Sequence, residues 1–113
     1  MTERINKVNS LLEHEISKII ARDFNFSGSL VTLTHVDASG NLIEAKAYIS
    51  VMPETQTDHV IEVLNRGVYD VQKKLNKLLN MRPIPKIIFV RDRETAEASR
   101  VEELLEKLKK EEN

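Results

Sequence analysis

Residues 57–90 read TDHVIEVLNRGVYDVQKKLNKLLNMRPIPKIIFV. Apolar side chains fall at Val60, Ile61, Leu64, Val68, Val71, Leu75 and Leu78, the spacing of one stripe along a helix. Thr55 or Thr57, just past Pro53, can cap its start. Gly67 interrupts the run. A glycine inside a helix costs about 1 kcal/mol relative to alanine, so Gly67 is read as a kink between two shorter helices. Pro83-Ile84-Pro85 stops the pattern, and Lys86-Ile87-Ile88-Phe89-Val90 follows as a compact strand bounded by charge. The stretch predicts helix, kink, helix, strand.

Upstream, Leu30-Val31-Thr32-Leu33-Thr34-His35-Val36 is rich in β-branched residues and closes on Asp37-Ala38-Ser39-Gly40-Asn41, a strand running into a hairpin turn. Beyond it Ile43, Ala45, Ala47, Ile49 and Val51 alternate with Leu42, Glu44, Lys46, Tyr48 and Ser50. One face of a second, antiparallel strand can therefore be buried. At the start of the chain, Ile5, Val8, Leu12, Ile16, Ile19 and Ile20 mark an amphipathic helix from Glu3 to Arg22. At its end, Val101, Leu104, Leu105 and Leu108 mark a last helix, with Ser99 and Glu102 at capping-box spacing. The order is helix, two strands, kinked helix pair, strand, helix. It predicts an α+β domain spanning residues 1–113, a three-stranded sheet with helices packed on one face.

A chain of 113 residues can bury about 65% of its unfolded surface, enough for one modest core. The 41% hydrophobic and 31% charged composition excludes wholesale disorder. No run approaches the ~18 apolar residues of a membrane span, and the charged N-terminus lacks a secretory signal, so a cytoplasmic protein is expected. Cysteine is absent, which excludes disulfides, thiol nucleophiles and thiolate metal sites together. Net charge is −1, but it is unevenly spread. Residues 1–65 carry 5 basic and 9 acidic side chains, and residues 94–113 carry 4 and 7. Residues 66–93 carry 8 basic side chains (Arg66, Lys73, Lys74, Lys77, Arg82, Lys86, Arg91 and Arg93) against Asp70 and Asp92. A polyanion would bind there.

Residues for chemistry are scarce. His14, His35 and His59 sit on three different elements, without metal-site spacing. His14-Glu15 opens like a zinc-protease helix, but the position of the second ligand is Lys18. His35 and Asp37 can share a strand face, most simply as a solvated or hydrogen-bonded pair. Glycine occurs only at 28, 40 and 67, so neither a phosphate-binding loop nor the paired-glycine grip of a standard KH module can be written. An enzyme is not expected, and no metal or cofactor is implied. Lys73, Lys74 and Lys77 share one flank of the helix after Gly67, with Arg82 and Lys86 just beyond, which suits phosphate contacts. By itself such a segment is equally well a solvated helix face.

Three local patterns resemble the ribosome-binding factor A family, in order along nearly the whole chain. The first helix carries Arg4, Lys7, Val8, Glu15-Ile16 and Arg22. The hairpin Val31-Thr32-Leu33-Thr34-His35-Val36-Asp37 returns through Leu42-Ile43-Glu44-Ala45-Lys46-Ala47-Tyr48-Ile49. Met81-Arg82-Pro83-Ile84-Pro85-Lys86-Ile87-Ile88-Phe89 matches the family's L-R-x-x-P-x-L-x-F run, with Asp92 and Arg100-Val101 after it. The resemblance implies a type II KH-like fold in which a helix–kink–helix with an Ala-x-Gly motif replaces the glycine loop. Alignment on Pro85 puts Gly67-Val68-Tyr69 at that motif, so the kink is expected at a shifted glycine. It further implies a non-enzymatic, monomeric assembly factor of the small (30S) ribosomal subunit that binds its precursors through 16S rRNA and assists late maturation and rRNA end processing. An assembly GTPase is then a candidate partner, and no membrane is. The cations of residues 66–93 would meet rRNA phosphates, with Arg4 and Lys7 as a second contact. The rival readings are a protein-interaction module with an incidental basic patch and a KH-like binder of another RNA.

Overall fold

The computed structural model describes residues 2–81 and 83–93. Helix α1 (Thr2–Asp23) leads into strands β1 (Leu30–Ala38) and β2 (Glu44–Met52), helices α2 (Thr57–Arg66) and α3 (Val68–Leu78), and strand β3 (Lys86–Arg91). The sheet order is β1-β2-β3, with β1 antiparallel and β3 parallel to the central β2. Parallel pairing of β2 and β3 requires a crossover, which α2 and α3 supply. The expected last helix lies outside the described residues.

The core forms between the sheet and the helices. From α1 come Val8, Leu12, Ile16, Ile19 and Ile20, and from β2 Ala45, Ala47, Ile49 and Val51. Val60, Leu64, Val71 and Leu75 of the kinked pair meet Ile87 and Phe89 of β3 in the same cluster. Alanine at 45 and 47 lets helices approach the central strand closely, while Phe89, 1% exposed, supplies bulk from its neighbour.

Four local expectations are corrected. Leu78 is 60% exposed and Leu79 is buried in its place, because α3 ends at Leu78 and the chain turns extended at Leu79 (φ −96°, ψ 130°). Ile43 is likewise exposed and Leu42 buried. Leu42 adopts φ 57° in the turn, which reverses the strand alternation there. That turn is held by Ser39 and Asn41, whose side-chain oxygens both accept from the Ile43 N–H. Neither Thr55 nor Thr57 caps α2. A short 3-10 turn, Glu54–Gln56, precedes the helix, and the buried Thr57 donates its hydroxyl back to Glu54 O at 2.7 Å. Strand β1 also runs two residues further than its β-branched stretch, to Ala38, with a bulge between Leu33 and His35.

Helix side chains bond backbone groups on both outer edges of the sheet. On β3, Asn65 donates to Phe89 O and accepts from Phe89 N, each at 3.0 Å. Gln72 does the same with Pro85 O and Ile87 N, again at 3.0 Å. On β1, Asn9 accepts from Ala38 N at 2.8 Å and Glu13 from Val36 N at 2.9 Å. Backbone groups that would otherwise invite a further strand are thereby satisfied within the chain.

Candidate nucleic-acid interface

Gly67 closes one helix and opens the next without losing backbone bonds. Its N–H bonds Val63 O at 3.1 Å, and its own carbonyl accepts from Val71 N at 3.3 Å. Its φ of −88° is open to any residue, so glycine is not required by backbone conformation. A neighbour sets the cost of a side chain instead, since a Cβ there would stand 2.9 Å from Phe24 Cζ, so the ring would have to shift. Phe24 follows α1 directly and stacks on Phe26 with ring centroids 5.9 Å apart. The kink therefore rests on the end of α1. The expected break at Gly67 is where the structure has it.

Beside the kink, a shallow pocket of about 420 Å³ lies between the end of α1 and α3. Lys73, Lys74 and Lys77 line it together with Asp23 and Asp70. Lys74 pairs with Asp23, tying α3 to α1, whereas Lys73 and Lys77 make no ion pair among the described residues. Tyr69, 75% exposed on the first turn of α3, stands one helical turn before Lys73. Counting charge could not reveal it, although its place in the Gly67-Val68-Tyr69 triplet could have.

The remaining cations are dispersed. Arg66 is exposed and pairs with Glu62 one turn earlier on α2, and Arg91 pairs with Asp58. Lys86 opens β3 and Arg91 closes it, about 16 Å apart at strand rise. Arg93 lies just beyond, exposed. Arg4 and Lys7 are exposed on the first turns of α1, roughly 24–28 Å along the helix from Asp23. Arg82 lies outside the described residues. Thus Lys73, Lys74 and Lys77 come together as expected, while Arg4, Lys7, Lys86 and Arg93 do not join them.

Among the described residues no group of His, Asp and Glu side chains could hold a metal ion, and no helix is long and apolar enough to cross a membrane. His14 and His59 are exposed on separate helices. His35 does not pair with Asp37. Its Nδ1 lies 3.1 Å from Thr34 Oγ1 and 3.9 Å from the buried Asp92 carboxylate, which accepts from Thr34 Oγ1 at 2.6 Å.

A kinked helix pair crossing over from β2 to a parallel β3, with glycine at the break and no paired-glycine loop, defines the chain as an α+β protein of KH-like fold. The sequence matches the family described as Ribosome-binding factor A over residues 4–105, and the chain belongs to that family. Ribosome-binding factor A of Chlorobaculum tepidum is 37% identical over 112 residues, covering 96% of this chain and 93% of the relative. That of Prochlorococcus marinus is 32% identical over 116 residues, covering 99% and 89%. In three dimensions the chain is similar to the crystal structure of ribosome-binding factor A from Thermus thermophilus, with TM-score 0.67 and 17% identity over 77% of this chain and 93% of the other. It is also similar to Thermus thermophilus ribosome-binding factor A as fitted into a cryo-EM map of a 30S complex. There the TM-score is 0.63 and identity 19%, over 74% of this chain and 90% of the other.

Proposed function

We propose that this protein binds the small ribosomal subunit or its precursors through 16S rRNA and assists late maturation, including processing of the rRNA ends, by contact rather than by chemistry. The observation that carries this reading is the exposed cation pair Lys73 and Lys77, beside the Gly67 kink of a ribosome-binding factor A fold. Two ammonium groups on one helix, without an ion pair among the described residues, can neutralise phosphates without first giving up one of those acids. A relative of the same fold is placed in a 30S complex, which supports the choice of the small subunit. On this reading Arg66, Lys74, Lys86, Arg91 and Arg93 extend the field, Arg4 and Lys7 make a separate contact, and an assembly GTPase is a candidate for releasing the protein.

The test is co-sedimentation with purified small subunits and their precursors at two salt concentrations, for the wild type and a Lys73/Lys74/Lys77/Arg82→Glu variant. Salt-sensitive binding that the variant loses is expected. Wild-type binding that neither salt nor the variant weakens would point instead to a protein-interaction module with an incidental basic patch.

A further inference from the structure

The sheet face opposite the core carries Thr32, His35, Asp37, Lys46, Tyr48, Ser50, Ile88 and Val90 in its middle, and none of them is buried. On it the register partners His35 and Tyr48 stack, with ring centroids 4.1 Å apart and planes within 10°. The two rings border a concavity of about 420 Å³ whose rim includes Lys46, Asp37 and Arg93. The His35 ring is held at its Nδ1 edge by Thr34, itself bonded to the buried Asp92. The pair thus spans β1 and β2 and is linked through Thr34 to Asp92, the residue after β3.

We infer that this concavity is a second RNA site, which takes one unpaired nucleotide with its base stacked against the His35–Tyr48 ring pair and its phosphate on Lys46 and Arg93. The inference rests on the rRNA-binding reading and deepens it. Every base has a π-face, so a rigid aromatic surface beside cations accepts single-stranded RNA whatever the base. Lys46 and Arg93 supply charge complementary to a phosphate, and Asp37 can accept from an exocyclic amino group. An apolar peptide would gain little from a concavity rimmed by charge. The α3 lysines belong to a helix packed against the other face of the sheet, so the two sites would engage different segments of one RNA.

The experiment is an NMR titration of the full chain with hexauridylate and hexaadenylate, followed at backbone amides and aromatic ring protons. Shifts at His35, Lys46, Tyr48 and Val90 are expected, with affinity about tenfold weaker in His35→Ala and in Lys46→Glu and retained in Tyr48→Phe. Lys46→Glu changes an exposed side chain, so it stands as the measure if His35→Ala unfolds. A photo-crosslinking residue placed at position 46 should then mark rRNA in the subunit complex. Shifts confined to α3, affinity unchanged in Lys46→Glu, or a crosslink to a ribosomal protein would overturn the inference. If co-sedimentation still depends on Lys73 and Lys77 in that event, the rRNA-binding reading stands without it.

Discussion

At Gly67 two opposed effects can be separated by mutation. Alanine there would gain about 0.4–1 kcal/mol by restricting the unfolded chain at a φ it can adopt, but must displace the Phe24 ring, whose Cζ and Cε1 lie 2.9 and 3.0 Å from the new Cβ. In the wild type the collision should offset or exceed the gain, so Gly67→Ala is expected to be neutral or destabilising. In a Phe24→Ala background the same change should stabilise by about 0.5–1 kcal/mol. Urea denaturation of the four proteins checks it, and a stabilising Gly67→Ala in the wild type would show that Phe24 does not press on the kink. Thr34 sits in the β1 bulge and offers a second test. Its hydroxyl donates to the buried Asp92 side chain, and leaving a buried acceptor without its donor costs about 1–3 kcal/mol. Thr34→Val keeps the shape and should lose about that much at neutral pH, read from the denaturation midpoint.

Elements of regular period were legible and their junctions were not. The stripe of α1 and the broken stripe of α2 and α3 read directly from spacing, because each helix buries one face. Leu42 and Leu79 defeated the same logic. Each sits just outside its element, where a turn re-aims the side chain and periodicity no longer applies. The bulge did leave a trace, since the core-facing apolar residues of β1 fall at 31 and 33 and then at 36 and 38, a change of phase across Thr34. The edge bonds made by Asn9, Glu13, Asn65 and Gln72 left almost none, these being polar residues on helices whose role depends on which strand lies beside them. Their contribution can be read residue by residue. In Asn65→Ala with Gln72→Ala, amide exchange of Ile87 and Phe89 should accelerate, while Lys86 and Asp92 N–H, bonded to Ile43 O and Ile49 O of the β2 side, stay protected. Uniform acceleration would mean that the helices, rather than these two amides, hold the edge.

For the molecule as a whole, the basic segment between residues 66 and 93 was visible as composition, but its division into paired and unpaired cations was not. Arg66 with Glu62, Lys74 with Asp23 and Arg91 with Asp58 are pairings set by helix spacing and by chain folding, so each cation must give up an acid before it serves a phosphate. Among the described residues Lys73 and Lys77 have no such acid to give up. Surface pairs are weak, yet in a chain of net charge −1 the unpaired cations should carry most of the salt dependence. Each phosphate contact contributes about 0.9 to the slope of log affinity on log salt for a duplex and about 0.7 for a single strand. Lys73→Glu with Lys77→Glu should therefore flatten the slope for small-subunit binding by about 1.4 to 1.8. Arg66→Glu with Arg91→Glu, an equal change in formal charge, should flatten it much less. Binding isotherms of both variants across a salt series decide the matter: equal slopes would mean that the RNA responds to total charge alone, and the lysine pair beside the kink would lose its claim to be the contact.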